Sequence, residues 1–277
     1  MMWFKKSSPS SPVEAVAPVE LAVDFDAGIL GDKLRQLLDG MSEGGGLEPF
    51  VQALRNKHAL FASTLADENL SALTPEAFML LLETVFPARR KLADALRALP
   101  QERLQQLTRE LVHGRGGVDA RLQAFADALG GQGRKTRRAA WDLGAELLHF
   151  GDPEAYPLLC RWVWDARVQS GALREFIRAN DSLPEIPLGQ EAAQFEAARR
   201  WFAEQLTEHG FYRDIPYLLD LLLAQAYADY VLAMSNGMGM MGSDFGAKME
   251  PIEWVLKLLG IEPERPGKSR IKRASVH

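Results

Sequence analysis

From residue 29 to residue 259 apolar side chains recur at three- and four-residue spacing. No stretch between turn residues alternates apolar and polar positions with period two. A chain with that pattern has helix faces to bury and no strands to pair, so the expectation is all-α: stacked helical hairpins or an irregular helical bundle. Ile29, Leu30, Leu34, Leu37 and Leu38 mark a first helix stopped near Gly40, and Leu47 to Leu65 a second after Gly44-Gly45-Gly46. Thr74-Pro75-Glu76 pairs a cap residue with a first-turn proline, and Pro87 ends the helix it opens. Another helix runs from Leu99-Pro100-Gln101-Glu102 to His113-Gly114, and another from Val118 to Leu129. Further helices are predicted over 134–149, 153–167, 171–179, 191–208, 213–234 and 251–259.

Three regions follow. Residues 1–25 read as a tether with an apolar tip, Trp3-Phe4, since Ser, Pro, Ala and Val with Pro9, Pro12 and Pro18 bury little. Residues 26–262 form the helical domain, with a sub-boundary expected at 181–190 around Pro184 and Pro187. Residues 263–277 are a basic tail containing Lys268, Arg270, Lys272 and Arg273. The tip has four apolar residues before its lysines, whereas an export signal has roughly 7–15 after its charge, so none is expected. The single cysteine, Cys160, excludes an intrachain disulfide and suits a reducing, cytoplasmic setting. A net charge of -5 argues against nucleic acid as the partner. The greasiest stretch, Ile215 to Met234, carries Asp220 and Asp229 on opposite helix faces, which fits a buried central helix better than a membrane span.

An internal echo stands out. Gly151-Asp152-Pro153-Glu154-Ala155-Tyr156-Pro157-Leu158-Leu159 can be laid against Gly210-Phe211-Tyr212-Arg213-Asp214-Ile215-Pro216-Tyr217-Leu218, both reading Gly, five residues, Pro, one residue, Leu. Before each lies an amphipathic segment, Arg137-Arg138-Ala139-Ala140-Trp141 or Ala197-Ala198-Arg199-Arg200-Trp201. A glycine closing one helix and a proline opening the next make a helical hairpin. The first unit resembles the HEAT-repeat family, with its Gly-Asp-Pro-Glu-Ala turn and Pro-x-Leu-Leu helix, over roughly residues 134–234. The resemblance implies stacked hairpins and a binding scaffold.

Glu110/His113 and Glu146/His149 are Glu-x-x-His pairs, each on one helix face at i, i+3, the way carboxylate-bridged di-metal bundles present ligands. Asp119, Asp127, Asp142 and Glu204 could complete such a metal site. Each histidine also sits beside a helix-ending glycine, where the helix dipole favours it without a metal. Gly237 to Gly242 spells GxGxxG, but a long helix precedes it where a dinucleotide fingerprint requires a strand. Met238, Met240 and Met241 in that loop offer adaptable apolar contact, with Cu(I) binding a remoter reading. Trp162 and Trp164, two apart on the predicted 153–167 helix, point to different faces and cannot both be core unless the helix is sandwiched; an exposed one would serve as an anchor.

These features point to a non-catalytic adaptor, scaffold or assembly factor holding a protein partner through Trp162, Trp164, Met238, Met240, Met241 and the tip residues Trp3 and Phe4. No cofactor is expected, and peripheral membrane contact by the tip is a further reading. The alternatives are a helical metalloprotein using Glu110, His113, Glu146 and His149, and a small-ligand-binding protein with the Met/Gly loop as lid.

Overall fold

The helical spacing becomes helix over most of the chain. The computed structural model describes residues 19–42, 44–131, 133–237 and 250–262. Among them lie α1 (Ala27–Ser42), α2 (Glu48–Leu65), α3 (Asp67–Leu70), α4 (Pro75–Glu83), α5 (Arg89–Arg97) and α6 (Gln101–Val112). They are followed by α7 (Val118–Gly130), α8 (Arg134–Gly151), α9 (Ala192–Glu208), α10 (Ile215–Gly237) and α11 (Pro251–Leu259). The fold is all-α.

Local chemistry sets the boundaries. Asp26 caps α1 by accepting from the Gly28 and Ile29 amides at 2.8 and 3.1 Å. Thr74 caps α4 by accepting from the Ala77 amide at 3.2 Å. The free carbonyls ending α6 are met from outside: Arg121 donates to Leu111 and Val112 at 2.5 and 3.0 Å. The short helix α5, whose buried Leu92 and Leu96 lie one turn apart, is absent from the sequence reading.

Two helices act as hubs. Every residue of α8 from Ala139 to Phe150 except Trp141 is buried, and α2, α5, α6 and α7 pack around it. Gly144 lets α7 in, since a Cβ there would sit 2.6 Å from Leu122 Cδ1. The second hub, α10, packs against α1, α2, α9 and α11. Among the described residues it is the one helix long and apolar enough to cross a membrane, by length and composition alone, and 56% of that window is buried in the protein.

The two echo units take different forms. At the second, Gly210 has φ +89° and closes α9: its amide donates to Thr207 and the Phe211 amide to Leu206, both at 3.0 Å. Pro216 then lies in the first turn of α10. At the first, Gly151 stays inside α8, and residues 152–191 contain only two 3₁₀ turns, Ala172–Phe176 and Asn180–Ser182. The predicted helices over 153–167 and 171–179 are therefore not formed. Side chains of α8 hold that backbone open instead. Trp141 Nε1 donates to the Leu159 carbonyl at 3.0 Å, and Asp142 accepts from the Arg161 amide at 3.0 Å. Backbone groups satisfied this way have no need of helical partners.

Gly210→Ala meets no atom within 4 Å, so only the left-handed backbone is taxed. A loss of roughly 1–2 kcal/mol is expected in urea unfolding; an unchanged midpoint would mean the turn re-forms without a left-handed residue.

Phe25 is buried, its ring 5.1 Å from that of Trp201 and 5.4 Å from that of Phe202, and it bridges Ile177.

Candidate functional site

The first turns of α8 carry Arg134, Lys135, Arg137 and Arg138 and no acid. The amino end of a helix is already electropositive, so each cation is placed against the dipole at a cost of about 0.3–1 kcal/mol. Two are compensated: Arg137 pairs with Asp127 at 2.9 Å and Arg138 with Asp165 at 3.1 Å. These arginines form one wall of a 770 Å³ groove between α7, α8 and the irregular segment. Arg161 and Arg167 line the opposite side, and Trp141 lies between. Two of its three acids are committed, and the third, Glu191, makes no ion pair among the described residues. Asp119 accepts from the Ala192 amide at the start of α9 at 2.8 Å, and Asp165 takes Arg138. Arg134 and Arg167 make no ion pair among the described residues.

The groove adjoins a smaller cavity of 310 Å³ through Arg138, Arg161 and Asp165, which line both. Aromatic residues from separate elements surround the inner space: Phe86 after α4, Trp162 in the irregular segment, Tyr227 on α10 and Trp254 on α11. Asp142 contributes to its floor and is spanned by Arg161, whose amide and Nη2 reach its two oxygens at 3.0 and 2.5 Å. Burial raises the Asp142 pKa, and Arg161 pulls it back only in part. Burial also lowers Arg138 from its ordinary value, and the positive charge of Arg161 nearby acts in the same direction.

Beneath this site runs a buried polar stripe on α8: Asp142, Glu146 and His149, at i, i+4 and i+7. Lys57 of α2 reaches Glu146 at 2.7 Å, the Leu259 carbonyl at 2.7 Å and the Thr84 carbonyl at 3.3 Å, with its ammonium 4.0 Å from the Phe150 ring centroid. Burial pushes the Glu146 carboxyl up to about 7 despite the lysine. His149 uses both ring nitrogens, one at 2.8 Å from the Tyr156 carbonyl and the other at 2.9 Å from Asp220 of α10. Burial lowers its pKa, but Asp220 and the hydrogen bonds outweigh that and raise it.

The sequence-predicted residues scatter. Glu110 accepts from Gln106 at 2.8 Å on the exposed face of α6, and His113 contacts the Leu65 carbonyl at 2.7 Å. Glu146 and His149 are engaged as above. The four metal candidates do not converge, and among the described residues no three His, Cys, Asp or Glu side chains come together as a cation site. Trp162 and Trp164 are both buried, at 6% and 0% exposure, which corrects the reading of an exposed anchor. In place of a helix the chain turns at Cys160, with the Val163 and Trp164 amides both donating to its carbonyl, and both rings are buried. Trp164 Nε1 donates to the Leu188 carbonyl at 3.0 Å, whereas Trp162 lines the inner cavity. Cys160 is buried 3.6 Å from the Asp142 carbonyl, and burial raises its thiol pKa well above the usual value. Trp3, Phe4, Met238, Met240 and Met241 lie outside the described residues.

The sequence reading missed Arg134, Arg138, Arg161, Arg167, Tyr227 and Trp254. One signal was available: four cations opening a predicted helix on a chain of net charge -5. No protein-family model, curated protein or solved structure matches the chain.

Proposed function

We propose that the protein is a non-catalytic adaptor that holds a protein partner by an acidic segment lying in the arginine groove. The observation supporting this reading is that Arg134 and Arg167 line the groove and make no ion pair among the described residues, beside the amino end of α8, on an acidic chain. Arginine suits the task because its planar fork takes carboxylates bidentately. Nucleic acid is the weaker fit: its long phosphate track would meet a net charge of -5 beyond this single groove.

A fluorescein-labelled hexaglutamate peptide, followed by anisotropy, tests the reading. Binding is expected at about 0.05 M salt and strong weakening at about 0.5 M, since exposed charges are screened within a few ångströms there. The charge reversals Arg134→Glu and Arg167→Glu together should weaken it at least about tenfold. Equal binding by the reversed variant would sink the groove as the docking site. Tighter binding of a duplex DNA probe than of the peptide would sink the choice of partner.

A further inference from the structure

Trp141 is the one aromatic residue lining the arginine groove. It is partly exposed, and since its backbone lies inside α8, the part that water reaches is indole. Among the described residues that ring enters no aromatic pair and carries no cation, although five arginines line the same groove. Its Nε1 proton already goes to the Leu159 carbonyl, so what it offers is apolar surface. Trp141 follows Arg134 by seven residues on the same stripe of α8, about 10 Å along the axis. Other polar groups nearby are engaged. Gln190 accepts from the Ala166 amide at 2.9 Å and donates to the Trp164 carbonyl at 3.1 Å, and the Gln123 amide donates to Asp127 at 2.9 Å. The acids matter too: Glu191 makes no ion pair among the described residues, and Asp119 meets the Ala192 amide through one oxygen. An unbroken run of carboxylates along the groove would approach both, and like charges repel.

We propose that the acidic segment held in this groove carries an aromatic side chain between its carboxylates, seated against the Trp141 indole. This occupant rests on the adaptor reading and adds the partner's sequence chemistry: acid, aromatic, acid. Carboxylates set apart reach Arg134 and Arg167, the two groove arginines without an ion pair among the described residues, and keep clear of Glu191. The small side chains of Ala120 and Ala166 leave room for a ring within the 770 Å³ groove. The stems of the arginines beside it are themselves apolar and extend the surface the ring covers. Orientation then comes from the charges, which salt screens, and the remaining affinity from apolar contact, which it does not.

Titration calorimetry of the full chain with two unlabelled, acetylated peptides of equal charge tests it: Glu-Glu-Phe-Glu-Glu and Glu-Glu-Ser-Glu-Glu. The phenylalanine peptide is expected to bind at least about tenfold more tightly, the scale of burying one phenyl ring. Both should weaken between about 0.05 and 0.5 M salt while the ratio between them persists. Trp141→Ala should bring the phenylalanine peptide down to the level of the serine peptide and leave the latter unchanged. Because Trp141 also holds the Leu159 carbonyl, a second variant leaves it in place: Ala120→Gln, on the exposed face of α7, crowds the room for the ring and should weaken the phenylalanine peptide alone, by several-fold. Equal binding of the two peptides, with both weakened by Arg134→Glu and Arg167→Glu together, overturns this inference and leaves the adaptor reading standing. Equal losses for both peptides in Trp141→Ala and in Ala120→Gln overturn it as well. Failure of either peptide to bind, or binding indifferent to the arginine reversals, removes the adaptor reading and this inference with it.

Discussion

Lys57→Met is expected to destabilise the protein by roughly 3–5 kcal/mol in urea unfolding, the usual penalty for removing one member of a buried ion pair. The ammonium has three protons, and the structure offers three acceptors: Glu146, the Leu259 carbonyl at the end of α11 and the Thr84 carbonyl just past α4. Its side chain is 3% exposed and that of Glu146 is 2%, so water cannot replace it. Methionine fills the space but leaves a buried carboxyl and two helix-end carbonyls without their donor. Adding Glu146→Leu to Lys57→Met should recover much of the loss, because an apolar pair of similar volume removes the stranded carboxyl. A single-variant loss below about 1 kcal/mol would mean that the pair is solvated in solution.

The second large effect is on pH. Folding raises the Glu146 carboxyl from 4.5 to about 7, so the folded state holds this proton more tightly than the unfolded chain does. That advantage is complete below pH 4.5 and is lost as the pH rises to about 7, some 3 kcal/mol at roughly 1.4 kcal/mol per pH unit. His149, raised by Asp220, acts with the same sign: its share is present below 6.5 and lost as pH passes its folded value. Asp142, also raised, loses its share from 3.8 upward. Unfolding midpoints measured from pH 5 to 8 should therefore fall for the native chain and fall less for Glu146→Gln. Parallel curves for the two proteins would show that Glu146 does not titrate in this range.

How much of this was legible depended on where each backbone group found its partner. Thr74-Pro75 and Gly210 act within four residues of themselves, and the helices they bound follow the sequence closely. Residues 152–191 do not, because their conformation is set from α8 by Trp141 and Asp142, 18 and 19 residues away. The Gly-x5-Pro pattern at 151–157 is thus overridden by tertiary hydrogen bonds, while its echo at 210–216 is kept. Trp162 and Trp164 are both buried for the same reason, since a two-residue spacing separates faces only on a regular element. The site is harder still. Trp162, Tyr227 and Trp254 meet Phe86 from four parts of the chain, and no local spacing encodes that. The run Arg134-Lys135-x-Arg137-Arg138 was visible, but its meaning depended on a groove wall supplied by Arg161 and Arg167.

The packing of Phe25 has a consequence for synthesis on the ribosome. Its bridge to Ile177 and the Asp26–Arg178 contact span 152 residues, and its ring partners Trp201 and Phe202 come later still. At about 5–20 residues per second the nascent chain carries that segment unpaired for on the order of 10–30 s. Through that interval the start of α1 has neither its aromatic cover nor its clamp, and α1 docks against α10 only after most of the protein has emerged. Of the described helices, α1 is therefore the earliest made and among the last to be secured, its apolar face without its α10 partner through that interval.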